Sequence, residues 1–396
     1  MKSVDLSLEF CGVHFENPFI LASAPPTADA EMIARGFEAG WAGAVIKTVA
    51  DVPLVNIRPR FSAIKHNNYV LGFENIEQLS TKPLDYWVYA IEDLKKNYKD
   101  KVIIASILVD DNYENIEQLI STLEAAKPDI IELNLSCPHS VHSNKGLSIG
   151  QVPNKVYNIT NFAKKMTKIP IMPKLTSNVT DITTIGSAAY KASADAVTAI
   201  NTVQGLVKID INKLAPEPSV DGLSSYGGLS GPAIKPIALK CISQLYNSLH
   251  MPISGGGGVM TWEDCVEFFL CGAKTVQVAT AVMLKGYDIV STYIEGLKSY
   301  MIKMGFLKID DFLGKAAKKI VDPDQLKISN RCTYTINDSK CTGCKNCYVA
   351  CMDGGFQAIA MEENKARIIE DKCDGCSLCA LVCPINDCIS KKGINL

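Results

Sequence analysis

VIIASILVDDNYENIEQLISTLEAAKPDIIELNL, residues 102–135, holds an apolar run (102–109), a helical pattern over Asn115–Ala126 and a second apolar run (129–135). Neither run alternates apolar with polar residues, so each reads as a strand buried on both faces, as parallel strands covered by helices are. The same strand–helix–strand unit recurs on either side. Further runs are PFILASA (18–24), GAVIKT (43–48), PIMPKL (170–175), DAVTAI (195–200), PISGGG (252–257) and TVQVATA (275–281), with helical patterns at Tyr86–Lys96, Asp181–Ala192 and Thr261–Leu270 among them. Eight such strands predict an α/β fold, a (β/α)8 TIM barrel over residues 1–300. The rival doubly wound sheet would place a GxGxxG loop after its first strand, where this chain has Ser23-Ala24-Pro25-Pro26. Leu6–Phe19 is expected to form a hairpin at the bottom of the barrel.

Composition narrows the function. Against 42 Asp+Glu stand 40 Lys+Arg, a net charge of −2, so there is no basic field to draw in nucleic acid or acidic lipid. An apolar fraction of 47% excludes disorder. Met1–Glu9 interleaves charges with Val4, Leu6 and Leu8 and reads as a strand rather than a signal peptide. The longest apolar run, 102–109, is far short of the ~20 residues that span a bilayer. A soluble, cytoplasmic protein is expected. In a reducing compartment structural disulfides are rare, so the 15 cysteines call for metal ligation or catalysis.

The cysteines are uneven. Five (11, 137, 241, 265 and 271) precede residue 300, and ten lie between Cys332 and Cys388. Cys341, Cys344, Cys347 and Cys351 form CxxCxxCxxxC, and Cys373, Cys376, Cys379 and Cys383 repeat it before Pro384. Two-residue gaps let three thiolates of a 4Fe-4S cluster come from one tight loop, and in this bacterial-type pattern the fourth crosses over. One cluster is therefore assigned Cys341, Cys344, Cys347 and Cys383, the other Cys373, Cys376, Cys379 and Cys351. Zinc needs only four ligands and leaves too many cysteines over. Cys332 and Cys388 fall outside the pattern as packed thiols. A small α+β ferredoxin-like domain with two 4Fe-4S clusters is expected over 332–396, joined to the barrel by a helical linker, 301–331, that ends near Pro323.

In (β/α)8 enzymes the chemistry sits at the C-terminal ends of strands. Lys47-Thr48 ends the second run, Asn134 to His139 the fourth, Lys174 the fifth, Asn201-Thr202 the sixth and Gly255–Gly258 the seventh. A glycine patch there lets backbone N–H groups approach a phosphate. Two lysines at the mouth could face a delocalised anion such as a reduced flavin. Singly, each residue is equally readable as a solvated charge, a turn cap or a buried thiol; their joint placement points to a site.

LNLSCPH (133–139), PKLTSNVTDI (173–182), TAINTVQGL (198–206), SYGGLSGPAIKPIAL (225–239) and FENIEQLS (73–80) closely resemble the dihydropyrimidine dehydrogenases, in particular the FMN and iron–sulphur subunit of the two-subunit bacterial enzyme. The resemblance covers barrel and cluster domain alike. It implies FMN contacts at Ser23, Lys47, Thr48, Lys174, Gly231, Gly256, Gly257, Gly258, Ala279 and Thr280. It implies pyrimidine contacts at Asn75, Glu77, Asn134, Leu135, Ser136, Asn201 and Thr202, with Cys137 as proton donor. It also implies a separate FAD- and NAD-binding iron–sulphur subunit, in a heterotetramer, as electron source, since no dinucleotide fingerprint occurs in this chain.

The chemistry is coherent. A pyrimidine edge alternates C=O and N–H, which side-chain amides, donor and acceptor at once, can read. Reducing the 5,6 double bond takes a hydride from flavin N5 to C6 and a proton to C5. A thiol of ordinary pKa, about 8.5, is protonated at neutral pH and can give that proton. Ser140–Ile149, polar and glycine-containing, suits a lid. Dihydroorotate dehydrogenases share the barrel, but a carboxylate at Glu77 should repel orotate, which favours neutral uracil and thymine. Two other readings stand beside this one: a dihydroorotate or other FMN-dependent ene-reductase, and an electron-transfer module with no substrate of its own.

Overall fold

The computed structural model describes residues 4–136, 147–327 and 332–392. They divide into two units, 1–320 and 321–396.

In the first unit all eight apolar runs form strands: Phe19–Leu21, Gly43–Val45, Val102–Leu108, Ile130–Asn134, Ile171–Leu175, Val197–Ala199, Ile253–Gly256 and Thr275–Val278. They pair in parallel in chain order, and Val276–Val278 closes on Phe19–Leu21 to complete the barrel. Nearly every strand residue is buried, because helices cover the outside and side chains fill the inside. The expected helices form at Leu84–Asn97, Tyr113–Ala125, Ile182–Lys191 and Trp262–Cys271. Their starts follow from capping: Asn112 accepts the Glu114 N–H (3.1 Å), Asp181 the Thr183 N–H (2.8 Å), and Thr261 shares a capping box with Asp264. The N-terminal hairpin pairs Leu8–Phe10 with Val13–Phe15, and Phe10 and Phe15 are buried in the main core.

Two features depart from expectation. Over its described residues, 301–327, the expected linker is not one helix: the helix Ile289–Met304 ends at Gly305, and short 3-10 turns follow at Ile309–Asp311, Ala317–Lys319 and Pro323–Gln325. Phe312 and Ala317 are fully buried, so this chain is held on the barrel up to residue 320 by apolar contact. The second is an antiparallel sheet outside the barrel, in the order Val203–Gly205, Gly227–Ser230, Tyr69–Asn75, Phe61–His66. It is built from the long connections after the second and sixth barrel strands. Its strands are short and polar enough to pass for loop in the sequence.

In the second unit Thr333–Ile336 pairs with Ile389–Lys392 and Ile359–Glu362 with Lys365–Ile368, beside helices Asn346–Asp353 and Leu378–Leu381. Its small core includes Cys347, Cys351 and Cys388, which leaves few apolar side chains to hold so short a chain together.

Candidate functional site

A cleft opens at the C-terminal ends of the barrel strands. Ser23, Lys47, Thr48, Asn75, Glu77, Asn134, Lys174, Asn201, Thr202, Gly256–Gly258, Ala279 and Thr280 all line it. Gly231, Leu135 and Ser136 do not. Gly231 backs the wall, its carbonyl 2.8 Å from where a Cβ on Gly258 would stand, while Leu135 and Ser136 are buried behind Asn134. Cys137 and the segment 140–146 of the expected lid lie outside the described residues.

Hydrogen bonds hold the amides in place. Asn134 Nδ2 donates to Thr48 Oγ1 (3.0 Å), Thr48 in turn bonds Ser23 Oγ (3.0 Å), and Asn201 Nδ2 donates to Ser136 Oγ (2.8 Å) and Ser136 O (3.2 Å). On the outer sheet Asn75 Nδ2 donates to the Gly228 carbonyl (3.2 Å). Three amides from three separate elements thus converge on one space.

The electrostatics correct one expectation. Glu77, 8% exposed, is no bare carboxylate: Lys47 Nζ donates to its Oε2 (2.9 Å) and Arg60 Nε to its Oε1 (3.2 Å). Two cations to one carboxylate leave this corner net positive, so repulsion of orotate by Glu77 does not follow. A carboxylate this buried must be matched, and the hairpin that begins at Phe61 carries the extra cation to it. The two lysines are likewise not free cations, since Lys174 Nζ lies 3.6 Å from fully buried Glu132. Arg60 and Glu132 went unnoticed in the sequence. Glu132 was legible as a charged residue inside an apolar run, whereas Arg60 carried no signal.

The wall fits a flavin phosphate and ring. Gly257 and Gly258 adopt φ +116° and +85°, and a Cβ on Gly258 would stand 2.6 Å from the Lys235 nitrogen, so only glycine keeps the backbone open there. Two buried polar atoms of lining residues, Gln277 Oε1 and Thr202 Oγ1, have no protein partner, as expected of groups that meet a polar ligand.

In the second unit one small cavity is lined by Cys341, Cys344, Cys347, Cys383 and Cys388, and another by Cys351, Cys373, Cys376 and Cys379. This is the crossed-over partition. Among the described residues no three His, Cys, Asp or Glu side chains converge on one point as a single ion requires, whereas an iron–sulphur cube takes one thiolate at each of four corners. Backbone N–H groups of Ala366 and Gly343 hold the Cys341 thiol below its ordinary range, while burial lifts Cys347 and pushes Cys379 up to about 11. Cys332 donates to the Gly375 carbonyl (3.5 Å) and Cys388 to that of Asn337 (3.7 Å).

Among the described residues no helix is long and apolar enough to cross a membrane. Residues 5–301 match the dihydroorotate dehydrogenase family and residues 334–391 the 4Fe-4S dicluster domain. The chain is 40% identical over 367 residues to the NAD-dependent dihydropyrimidine dehydrogenase subunit PreA of Escherichia coli K12, covering 92% of this chain and 89% of that one. It is 34% identical over 325 residues to the chloroplastic dihydropyrimidine dehydrogenase (NADP(+)) of Arabidopsis thaliana, covering 78% and 76%. To the catalytic subunit of dihydroorotate dehydrogenase B (NAD(+)) of Pyrococcus furiosus it is 38% identical over 315 residues, covering 80% of this chain and all of that one. The chain belongs to the dihydroorotate dehydrogenase family, its barrel followed by a 4Fe-4S dicluster domain.

Proposed function

We propose that this chain is the catalytic subunit of a dihydropyrimidine dehydrogenase, an oxidoreductase that adds two electrons and two protons across the 5,6 double bond of uracil or thymine. The observation that carries the reading is the convergence of Asn75, Asn134 and Asn201 on one cleft with the glycine cradle, in a chain whose likeness to PreA extends through the cluster domain.

FMN, when bound, would supply a hydride to C6, and Cys341, Cys344, Cys347 and Cys383, with Cys373, Cys376, Cys379 and Cys351, would hold the two clusters through which its electrons would arrive singly. Ser23, Lys47, Thr48, Lys174 and the Gly256–Gly258 and Ala279–Thr280 backbone would hold it, with Gly231 behind them. The amides of Asn75, Asn134 and Asn201, with Thr202 and the Glu77 carboxylate, present donors and acceptors to the pyrimidine edge. The residue after Ser136, Cys137, gives its thiol proton to C5. The Lys174–Glu132 pair is matched one to one, whereas Glu77 is shared by Lys47 and Arg60, so the polar groups that would enclose the ring carry one surplus positive charge at the Glu77 corner. Electrons would come from a separate FAD- and NAD-binding subunit in the cytoplasm.

Uracil-dependent NADH oxidation, assayed with and without such a subunit, tests the reading. Cys137→Ala should lower turnover by about 10²–10⁴-fold, the usual contribution of a general acid, with flavin and iron contents unchanged. No turnover of any pyrimidine by the FMN- and iron-loaded protein would sink it. The second reading, dihydroorotate as substrate, is favoured by the net positive Glu77 corner and is decided by including dihydroorotate in the same screen.

A further inference from the structure

Four side chains from four strands converge on Glu132 inside the barrel. Its carboxylate accepts hydrogen bonds from Thr198 Oγ1 (2.9 Å), Gln277 Nε2 (3.2 Å) and Ser106 Oγ (3.3 Å), with Lys174 Nζ 3.6 Å away. Glu132 is fully buried and does not line the cleft; Lys174 and Gln277 do. Barrel interiors are ordinarily filled by branched apolar residues, and exchanging a buried ion pair for such residues is often neutral or stabilising. Stability is thus a weak reason for this network. Its geometry fixes things instead. The Gln277 amide can donate to Glu132 only through its NH₂, so its orientation is set, and its Oε1 is left with no protein donor.

We propose that Glu132 is a positioning residue, a buried counter-charge that anchors the Lys174 ammonium at the cleft wall and restrains how strongly the site favours negative charge on a bound flavin ring. The inference rests on FMN occupying the cleft. Lys174 draws electrons toward the ring and Glu132, farther from the cleft, opposes it. Neither charge is exposed to solvent, so salt and water screen them little. The partner of Lys47, by contrast, is Glu77, which stands on the cleft wall itself. Charge beside the ring is a recognised lever on flavin electronics, and here it is a matched pair with its negative member one layer inward.

The test is sulfite binding to the FMN-loaded full chain. Sulfite's lone pair bonds the oxidised ring, and the negative charge passes to the ring, so affinity reports local positive charge without turnover; bleaching of the flavin band is read in difference spectra. Glu132→Gln, with Lys174 unopposed, is expected to bind sulfite at least tenfold more tightly than wild type. Glu132→Asp, which withdraws the charge from Lys174 by one methylene, should bind about threefold more tightly and decides the matter if Glu132→Gln does not fold. A merely structural Glu132 would weaken or leave unchanged the affinity of both variants, and that result overturns the inference alone. A wild-type protein that takes up no FMN overturns the functional reading and this inference with it.

Discussion

Glu77 shows how a single residue changes meaning once its neighbours are known. In sequence it is a carboxylate near a binding site; in the fold it is the shared partner of Lys47 and Arg60. Truncating one member of a buried charge pair leaves the other unmatched. Glu77→Ala is therefore expected to weaken uracil binding and strengthen orotate binding, moving the ratio of the two dissociation constants by at least tenfold toward orotate. Titration of the flavin absorbance with each ligand measures this, and an unmoved ratio would show that the cations are not facing the substrate. The cysteines make the complementary point. Their spacing alone marked a dicluster domain, because three thiolates per cube from one short loop is a local arithmetic. Cys344→Ala and Cys376→Ala should each lower bound iron from about eight to about four atoms per chain, measured by iron analysis, with the FMN content unaltered.

At the scale of elements, the barrel strands were legible because parallel strands buried on both faces write themselves as unbroken apolar runs. The helices between them begin where a side chain can accept the first free N–H groups. Asp181 does so for Ile182–Lys191, and the Thr183 side-chain and backbone donors hold its carboxyl below the usual carboxylate range. A depressed carboxyl stabilises the fold at pH above its unfolded value and loses that contribution as pH falls toward the folded one. Asp181→Ala should accordingly cost about 1 kcal/mol at neutral pH, and the gap from wild type should narrow as the pH falls below the ordinary carboxylate range. Thermal unfolding at neutral pH and below that range checks this; an equal deficit at both would assign the cost to something other than the ionised cap. The outer sheet was not legible. Its strands Val203–Gly205 and Gly227–Ser230 are three and four residues long and are held partly by Glu74, whose carboxylate accepts the N–H groups of Val207 and Gly227. Burial raises its pKa against those two bonds. No period in the sequence announces a clamp between residues more than a hundred positions apart.

Among the described residues, the main core of the barrel and the core centred on the cluster cysteines have no residue in common. Residues 1–320 alone should therefore fold, retain FMN and accept electrons from dithionite, while losing NADH-driven uracil reduction through a partner subunit. Flavin content and the two assays on the truncated protein check this, and a truncated protein that still turned over with NADH would remove the clusters from the electron route. The sequence by itself determined the barrel, the dicluster domain and most of the residues that line the cleft, because strand burial, cysteine spacing and strand-end position are all properties of short stretches of chain. Only the tertiary structure decided the charge balance of the cleft and the sheet that borders it. Lys47 with Glu77 and Arg60, and Lys174 with Glu132, are pairings across separate elements. Coulomb interaction depends on distance and burial in space, and neither can be counted along a sequence.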